Sequence, residues 1–520
     1  MIISIMPIAA LLILALWFSP SFVYAEQQET PTRKGDSRGG AMHSRLYVNE
    51  SLHYPFPLPL VDQKTETPLK KARKPLLFNQ LMQAVEADFP LILAALEAGE
   101  IASGEMLAAK GGFDLKLNTS AGVNALGYYQ NEMAGVKLEQ PLEKFGASLF
   151  GGYKLGSGNF AVWDGGLRTN SGGEISSGIK LPLLSGRVID KRRLALWQAR
   201  ISQDRAQPIV LQKKLEVSKK AASAYWKWVA AGKKIEIAKR LLFLAENRHA
   251  TLESSHKEGE VPRLAITENS RLIVERQSIL ISSSRLVEQA AIALSLYWRG
   301  EEGVPKVPTL RMLPANLAKP LNPDKIIRSE DVSFAMRKRP EIKIFDLKLK
   351  EIDLKAQKAR NDTLPRLDLI AALSKDVGSP VYNPDIKGPL EAGVYLQFEV
   401  PLQRRAAKGR AKVLSAQMAQ VIRKKQFAVD QVVAEIRDSS SALRQTWLRI
   451  SQSRKNLELA VEIEKAEREK LTEGDSDLFR VNLREQQTAA AAAALINTIV
   501  EHFVALAYYR ASIGVPYRAE

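Results

Sequence analysis

The sequence predicts a mainly α-helical chain with a smaller β portion, written as two tandem copies of helix, strand, strand, long helix and helix. Three observations lead there. After Pro401 the next proline is Pro516, and nothing between Gly409 and Gly474 forces a helix to stop. The stretch before Pro401 alternates, with Val394, Leu396, Phe398 and Val400 on one side and Tyr395, Gln397 and Glu399 on the other, the period of a sheet with one apolar face. The same unit then occurs earlier in the chain at a nearly constant offset.

Leu181-Pro182-Leu183 precedes Gly186-Arg187 as Val400-Pro401-Leu402 precedes Arg404-Arg405, an offset of 219 residues. Ile235, Leu242, Ala245 and Lys257-Glu258-Gly259 match Ile450, Leu457, Ala460 and Thr472-Glu473-Gly474 at an offset of 215. Upstream, Ala87-Asp88-Phe89-Pro90 stands to Phe113-Asp114-Leu115 as Lys338-Arg339-Pro340-Glu341 stands to Leu364-Pro365-Arg366-Leu367.

This ordered, duplicated set resembles the TolC-like outer-membrane efflux protein family. The residues that carry the resemblance are Arg339-Pro340-Glu341, the run from Ala356 to Leu369, the two Pro-Leu pairs and the hairpin glycines Gly259 and Gly474. It covers nearly all of the chain from about Leu76 onward.

In chain order, residues 1–25 hold an apolar run, Ile8 to Phe18, then Ser19-Pro20 and the small-residue end Val23-Tyr24-Ala25, which reads as a secretory signal peptide. The alternative is an uncleaved anchor helix, and the run falls short of the ~20 residues a spanning helix needs. With no other candidate span, membrane insertion is expected to use strands. Residues 26–75 form a Pro-rich flexible segment without a packed core. Repeat 1, residues 76–300, is expected to start with a helix from Leu76 to Ala109. Strands follow at 113–122 and 174–183, then a long helix at 187–256 kinked at Pro208 and a return helix at 262–298. The glycine-rich stretch 123–173 between its strands is a long loop or an added hairpin, and the sequence does not choose. Residues 301–323 form a Pro-rich crossover. Repeat 2, residues 324–520, is expected to give a helix to about Asp362, strands at 365–374 and 391–402, a long helix at 404–472 and a return helix at 476–513. Leu443, Trp447, Ile450, Leu457 and Val461 recur at spacings of three and four, the pattern of a coiled coil in water.

Strands of about ten residues suit a tilted bilayer crossing. Four per chain cannot close a barrel, because membrane barrels start at about eight strands and open edges are not tolerated in hydrocarbon. Spanning strands therefore require several chains. The resemblance implies a homotrimer: an α-helical periplasmic barrel continued by a 12-stranded outer-membrane β-barrel. It also implies a passive exit duct for efflux of small molecules or type I secretion, set in outer-membrane lipid of a Gram-negative cell. Its implied partners are a periplasmic adaptor (membrane fusion) protein and an inner-membrane transporter. The alternative is a soluble periplasmic coiled-coil scaffold without a pore. Alternation assigns Val394, Leu396, Phe398, Val400, Ile175, Ile179 and Leu181 to lipid, and Lys180, Gln397, Glu399 and Tyr395 to the barrel lumen.

The formal charge of +18 is dispersed along helices among interleaved acids, as at Glu462 to Lys470, so a nucleic-acid partner is not inferred. Cysteine is absent, which removes thiolate metal sites and disulfides, and the five histidines form no ligand cluster. Gly151-Gly152 and Gly156-Ser157-Gly158 lack the following helix that a phosphate loop needs. No catalytic, cofactor-binding or metal site is expected, and the chain is read as a non-enzyme. The remaining candidates lie at the second hairpin turn, where the resemblance places the periplasmic aperture. The candidates there are Asp475, Asp477, Arg480 and Arg484: either Asp475, Ser476 or Asp477 simply caps the return helix, or Arg480 and Arg484, one turn apart on one face, contribute a basic constriction or pair with acids of a neighbour.

Overall fold

The computed structural model describes residues 75–161, 167–300, 303–380 and 390–516. The signal segment and nearly all of the Pro-rich segment lie outside them. The described residues belong to one compact unit.

Two helices open each repeat where the sequence suggests one. In repeat 1, α1 (Phe78–Asp88) is followed by α2 (Pro90–Lys110), and in repeat 2, α5 (Asp331–Lys338) is followed by α6 (Pro340–Asn361). The cause is the same in both. A proline's ring pushes the preceding residue out of the helical region, and Phe89 (ψ 119°) and Arg339 (ψ 123°) both adopt extended backbone. Pro90 and Pro340 then start the next helix, at a position that needs no amide donor.

Repeat 1 continues through β1 (Lys116–Asn124), β2 (Asn131–Pro141), β3 (Ser148–Gly158) and β4 (Glu174–Pro182). It then runs through α3 (Lys191–Lys257) and α4 (Arg263–Ser295). Repeat 2 continues through β5 (Arg366–Asp376), β6 (Glu391–Glu399), α7 (Arg405–Glu473) and α8 (Leu478–Ser512). The first strand begins later than expected because Gly111–Phe113 closes a 3₁₀ turn after α2. The stretch between the expected strands of repeat 1 folds as a hairpin, β2–β3. The sheet consequently has six strands in the order β1-β2-β3-β4-β5-β6, all antiparallel neighbours, instead of four. Four strands per chain, and with them the twelve-stranded count for three chains, are corrected by this hairpin.

At 1.5 Å per residue, α3 and α7 are each about 100 Å long. α3 runs through Pro208 without ending. Asp190 caps its start, accepting from the amides of Arg192 and Arg193 at 2.8 and 2.9 Å. α8 alone among the described helices is long and apolar enough to cross a membrane, which the sequence reading overlooks. Its residues Ile499, Val500, Phe503, Leu506 and Tyr509 nevertheless lie in the helical core.

That core is a belt around the middle of α3, to which α1, α4, α7 and α8 also contribute buried residues. Trp226 of α3 stacks on Phe503 of α8 at 4.1 Å between ring centroids, and on Phe78 of α1 at 5.7 Å. Tyr225 donates to the Leu76 carbonyl at 2.9 Å. Of the coiled-coil positions, Leu443 and Ile450 are buried and Trp447 and Leu457 half-buried, whereas Val461 is exposed in the single chain.

The Arg339-Pro340-Glu341 motif has a structural task beside this belt. Arg339 is buried and donates to the last carbonyls of α8, Ala511 and Ser512, at 3.3 and 3.2 Å. It pairs with Glu341 at 3.0 Å and with Glu435 of α7 at 2.8 Å. Phe89 holds the equivalent place in repeat 1, where it stacks on Tyr297 just beyond α4 at 5.5 Å. Both repeats thus tie their proline break to the end of their return helix, once with charge and once with aromatic surface. Arg339→Ala is expected to destabilise the helical body by about 2–3 kcal/mol, since a guanidinium with several charge-assisted bonds is lost. Arg339→Lys should recover only part of this, because an ammonium cannot reproduce the fork. Urea unfolding of the three proteins in mild detergent, followed by far-UV circular dichroism, measures it.

Candidate functional site

Two regions at opposite ends of the long helices hold the candidate residues: the sheet, and the turns joining α3 to α4 and α7 to α8.

The strand register sorts the sheet side chains onto two faces. One face is apolar across its width, with Leu117 and Thr119 of β1 beside Leu138 and Val136 of β2. It continues through Tyr153, Ile175 and Ile179 to Leu369, Leu396 and Phe398. Many of these side chains are exposed, Leu117 by 64%, Leu396 by 66% and Phe398 by 62%, while Tyr153 donates to the Gly172 carbonyl at 2.9 Å. Among the described strand residues the only charges on this face are Glu132 and Lys375, both at the rim away from the helices. The distance from Glu132 to Gln140 along β2, corrected for a typical strand tilt, gives an apolar band roughly 20–25 Å tall.

The opposite face is polar. Lys180, Gln397 and Glu399 all lie on it and come together near its helix end. Lys180 Nζ contacts Asp368 Oδ2 at 3.0 Å, and Arg366 Nε contacts the same oxygen at 2.8 Å. Gln397 stands opposite Asp368 and Glu399 opposite Arg366. Asp368, buried between two cations, and Arg366 are polar-face residues that the sequence reading passes over, although their i, i+2 spacing on an alternating strand places them together. Tyr395 folds back over Gly393 on this face, and a β-carbon there would stand 2.6 Å from its hydroxyl.

At the other end, Gly259 and Gly474 take the left-handed backbone at φ 83° and 85°, which glycine adopts without strain and which ends α7. Asp477 is the N-cap of α8, its Oδ1 accepting from the Arg480 amide at 2.8 Å. Asp475 is exposed on the turn. Arg480 is exposed and lies 3.6 Å from Asp477. Arg484 turns inward, 3.5 Å from Glu467 of α7 and bonded to Gln487 at 2.9 Å. Glu467 also accepts from Ser476 at 2.5 Å.

One turn further along α8 lies a constellation that the sequence reading passes over. Glu485 is fully buried. Its Oε1 accepts from Arg248 of α3 and, at 2.8 Å, from Arg468 of α7, while its Oε2 accepts from Arg276 of α4 at 2.8 Å. Arg276 further donates to the Leu241 carbonyl at 2.5 Å, and Arg248 to Asn482. One carboxylate thereby joins all four helices of both hairpins. The available signal was Val481, Glu485, Thr488 and Ala491, which place an acid on the inward seam of α8.

A sheet with one apolar face, standing on a helical body whose longest helices are about 100 Å long, is a fold shared with solved outer-membrane channels. Among solved structures, the outer-membrane protein VceC of Vibrio cholerae matches with a TM-score of 0.61 and 15% identity, over 84% of this chain and 96% of that one. The open-state MtrE outer-membrane channel of Neisseria gonorrhoeae matches at 0.60 and 15%, over 84% and 89%. The Campylobacter jejuni CmeC outer-membrane channel matches at 0.59 and 14%, over 85% and 86%. No protein-family model and no curated protein matches the sequence.

Two outcomes are expected at the hairpin end. Glu485→Ala leaves three arginines around a vacant position, two of them nearly buried, and should cost about 3–5 kcal/mol in the same unfolding measurement. Glu467 is held below its ordinary value of 4.5, first by the Ser476 hydroxyl and then by Arg484. Its depressed value means that its contribution is complete above the ordinary range and is lost only as pH falls through the lowered value. Hydrogen exchange at residues 474–478, corrected for intrinsic rate, should therefore show constant protection from about pH 5.5 to 8. Glu467→Gln should reduce that protection throughout.

Proposed function

We propose that the chain is a passive, non-enzymatic exit duct of the outer membrane of a Gram-negative cell, working as a homotrimer for efflux of small molecules or type I secretion. The observation that carries this reading is the bare apolar face of an open sheet, set at one end of helices long enough to reach far into the periplasm. Hydrocarbon accepts such a face only if the strand edges are satisfied. Six strands remain below the smallest membrane barrel, so copies must associate. Apolar side chains left bare on the helices, such as Leu107 of α2, Ile281 of α4 and Phe427 of α7, supply further surface for neighbouring copies.

In this reading the apolar face meets outer-membrane lipid, and Lys180, Gln397 and Glu399 line the lumen with Arg366 and Asp368. The helices continue the duct toward a periplasmic adaptor, and an inner-membrane transporter supplies the energy. The aperture is the hairpin end. Asp477 serves there as a cap, Asp475 and Arg480 present charge to the opening, and Arg484 acts through Glu467 to hold the turn.

Native mass measurement in mild detergent should give a trimer, and the purified protein should conduct ions across a planar lipid bilayer. A detergent-free soluble monomer without conductance overturns the duct and leaves a periplasmic scaffold. Replacing both Arg480 and Arg484 by Ala should raise conductance and shift selectivity toward cations. If neither changes, the two arginines have no part in the aperture.

A further inference from the structure

The two edges of the sheet fit one another. β1 and β6 are its outer strands, each nine residues long, and neither has a partner on its outer side among the described residues. β1 runs away from the helices and β6 runs back toward them, so β6 of one copy laid beside β1 of the next is antiparallel without any rearrangement. Such a head-to-tail contact between unlike edges makes a ring when the rotation closes.

The register is constrained. The apolar residues of both edges, Leu117 and Val123 on β1, Val394 and Phe398 on β6, must stay on one face, which allows only shifts of two residues. One register pairs all nine residues of each strand. It sets Lys116 opposite Glu399, Asn118 opposite Gln397, Leu117 opposite Phe398 and Ala121 opposite Val394. Opposite charges, polar pairs and apolar pairs then all match across the junction.

The stagger of the sheet agrees. Following the paired residues from Lys116 leads through Glu139, Phe150, Gly178 and Ala372 to Gly393. In this register Gly393 meets Gly122 of the next copy, six residues along β1 from Lys116. Each copy thus contributes about 20 Å of stagger across about 29 Å of sheet, a strand tilt of about 35°. Membrane barrels have strand tilts of about 35–45°. A shift of two residues toward less stagger flattens the tilt to about 25°, outside that range. The opposite shift gives about 42°, but it sets Glu399 opposite Asn118 and leaves Lys116 beyond the end of the paired strand.

We propose that β6 of each copy pairs with β1 of the next in the Lys116 to Glu399 register, so that three copies close an eighteen-stranded barrel with strands tilted by about 35°. This rests on the trimeric duct reading. Because diameter grows about linearly with strand number, the barrel is about one and a half times as wide as a twelve-stranded one. The β2–β3 hairpin is the element that widens it.

The chain contains no cysteine, so paired cysteines report the contact directly. Lys116→Cys with Glu399→Cys, and separately Asn118→Cys with Gln397→Cys, should form disulfides between copies on mild oxidation in outer membranes, giving dimers and trimers on non-reducing gels. Each single variant should stay monomeric on the gel. Lys116→Cys with Glu139→Cys, opposite one another within the chain, should cross-link without change in mass, which shows the strands folded as described. If this internal pair closes and native mass gives a conducting trimer, yet neither edge pair cross-links, the edge pairing is overturned while the duct stands. Cross-linking of Asn118→Cys with Glu399→Cys in preference to both edge pairs overturns the register. A monomer without conductance overturns the duct and the barrel together.

Discussion

Helices about 100 Å long cannot be held by local propensity, and this one depends on a single belt of packing near the middle of α3. Trp226 lies there between Phe78 and Phe503, and Trp228 is fully buried beside them. α1, α4 and α8 all contribute buried residues to this belt. Away from it, the helices pack side by side and leave apolar side chains such as Ile281 and Phe427 exposed. The belt therefore fixes the axis of the body, and everything at its two ends is positioned at a distance.

The two ends are secured differently. The sheet end is held chiefly by backbone hydrogen bonds between strands, with side-chain bonds such as Tyr153 to the Gly172 carbonyl and ion pairs on the polar side: Lys154 with Glu174, and Lys180 with Asp368. The hairpin end is tied by charge. Glu485 collects three arginines, one each from α3, α4 and α7, so that no hairpin can move without separating a buried ion pair. Breaking such a pair exposes an uncompensated charge, so an electrostatic tie of this kind favours two discrete arrangements over gradual deformation.

The tandem duplication also shows how one scaffold tolerates different chemistry. The proline break between the first two helices of each repeat is tied to the end of the return helix in both copies. In one the tie is Phe89 on Tyr297, in the other Arg339 on two terminal carbonyls. The repeat with the aromatic tie also carries the extra hairpin.

Much of this was legible in the sequence, because it depends on near neighbours. Alternation along β6 assigned faces that the register reproduces, and the glycines at 259 and 474 marked turns that need positive φ. The offset between the Pro-Leu pairs pointed to a repeated order of elements. The breaks at Pro90 and Pro340 were also local, yet a continuous apolar pattern concealed them. What only the tertiary structure decided depends on residues far apart in the chain. The folding of 123–173 as a hairpin rests on β2 and β3 finding partners on both sides, β1 and β4, where glycine-rich composition alone suits loop or strand equally. Glu485 could be placed on the inner side of α8 from its spacing. That three arginines from 209 to 237 residues away or from the facing helix converge on it follows only from packing the two hairpins together.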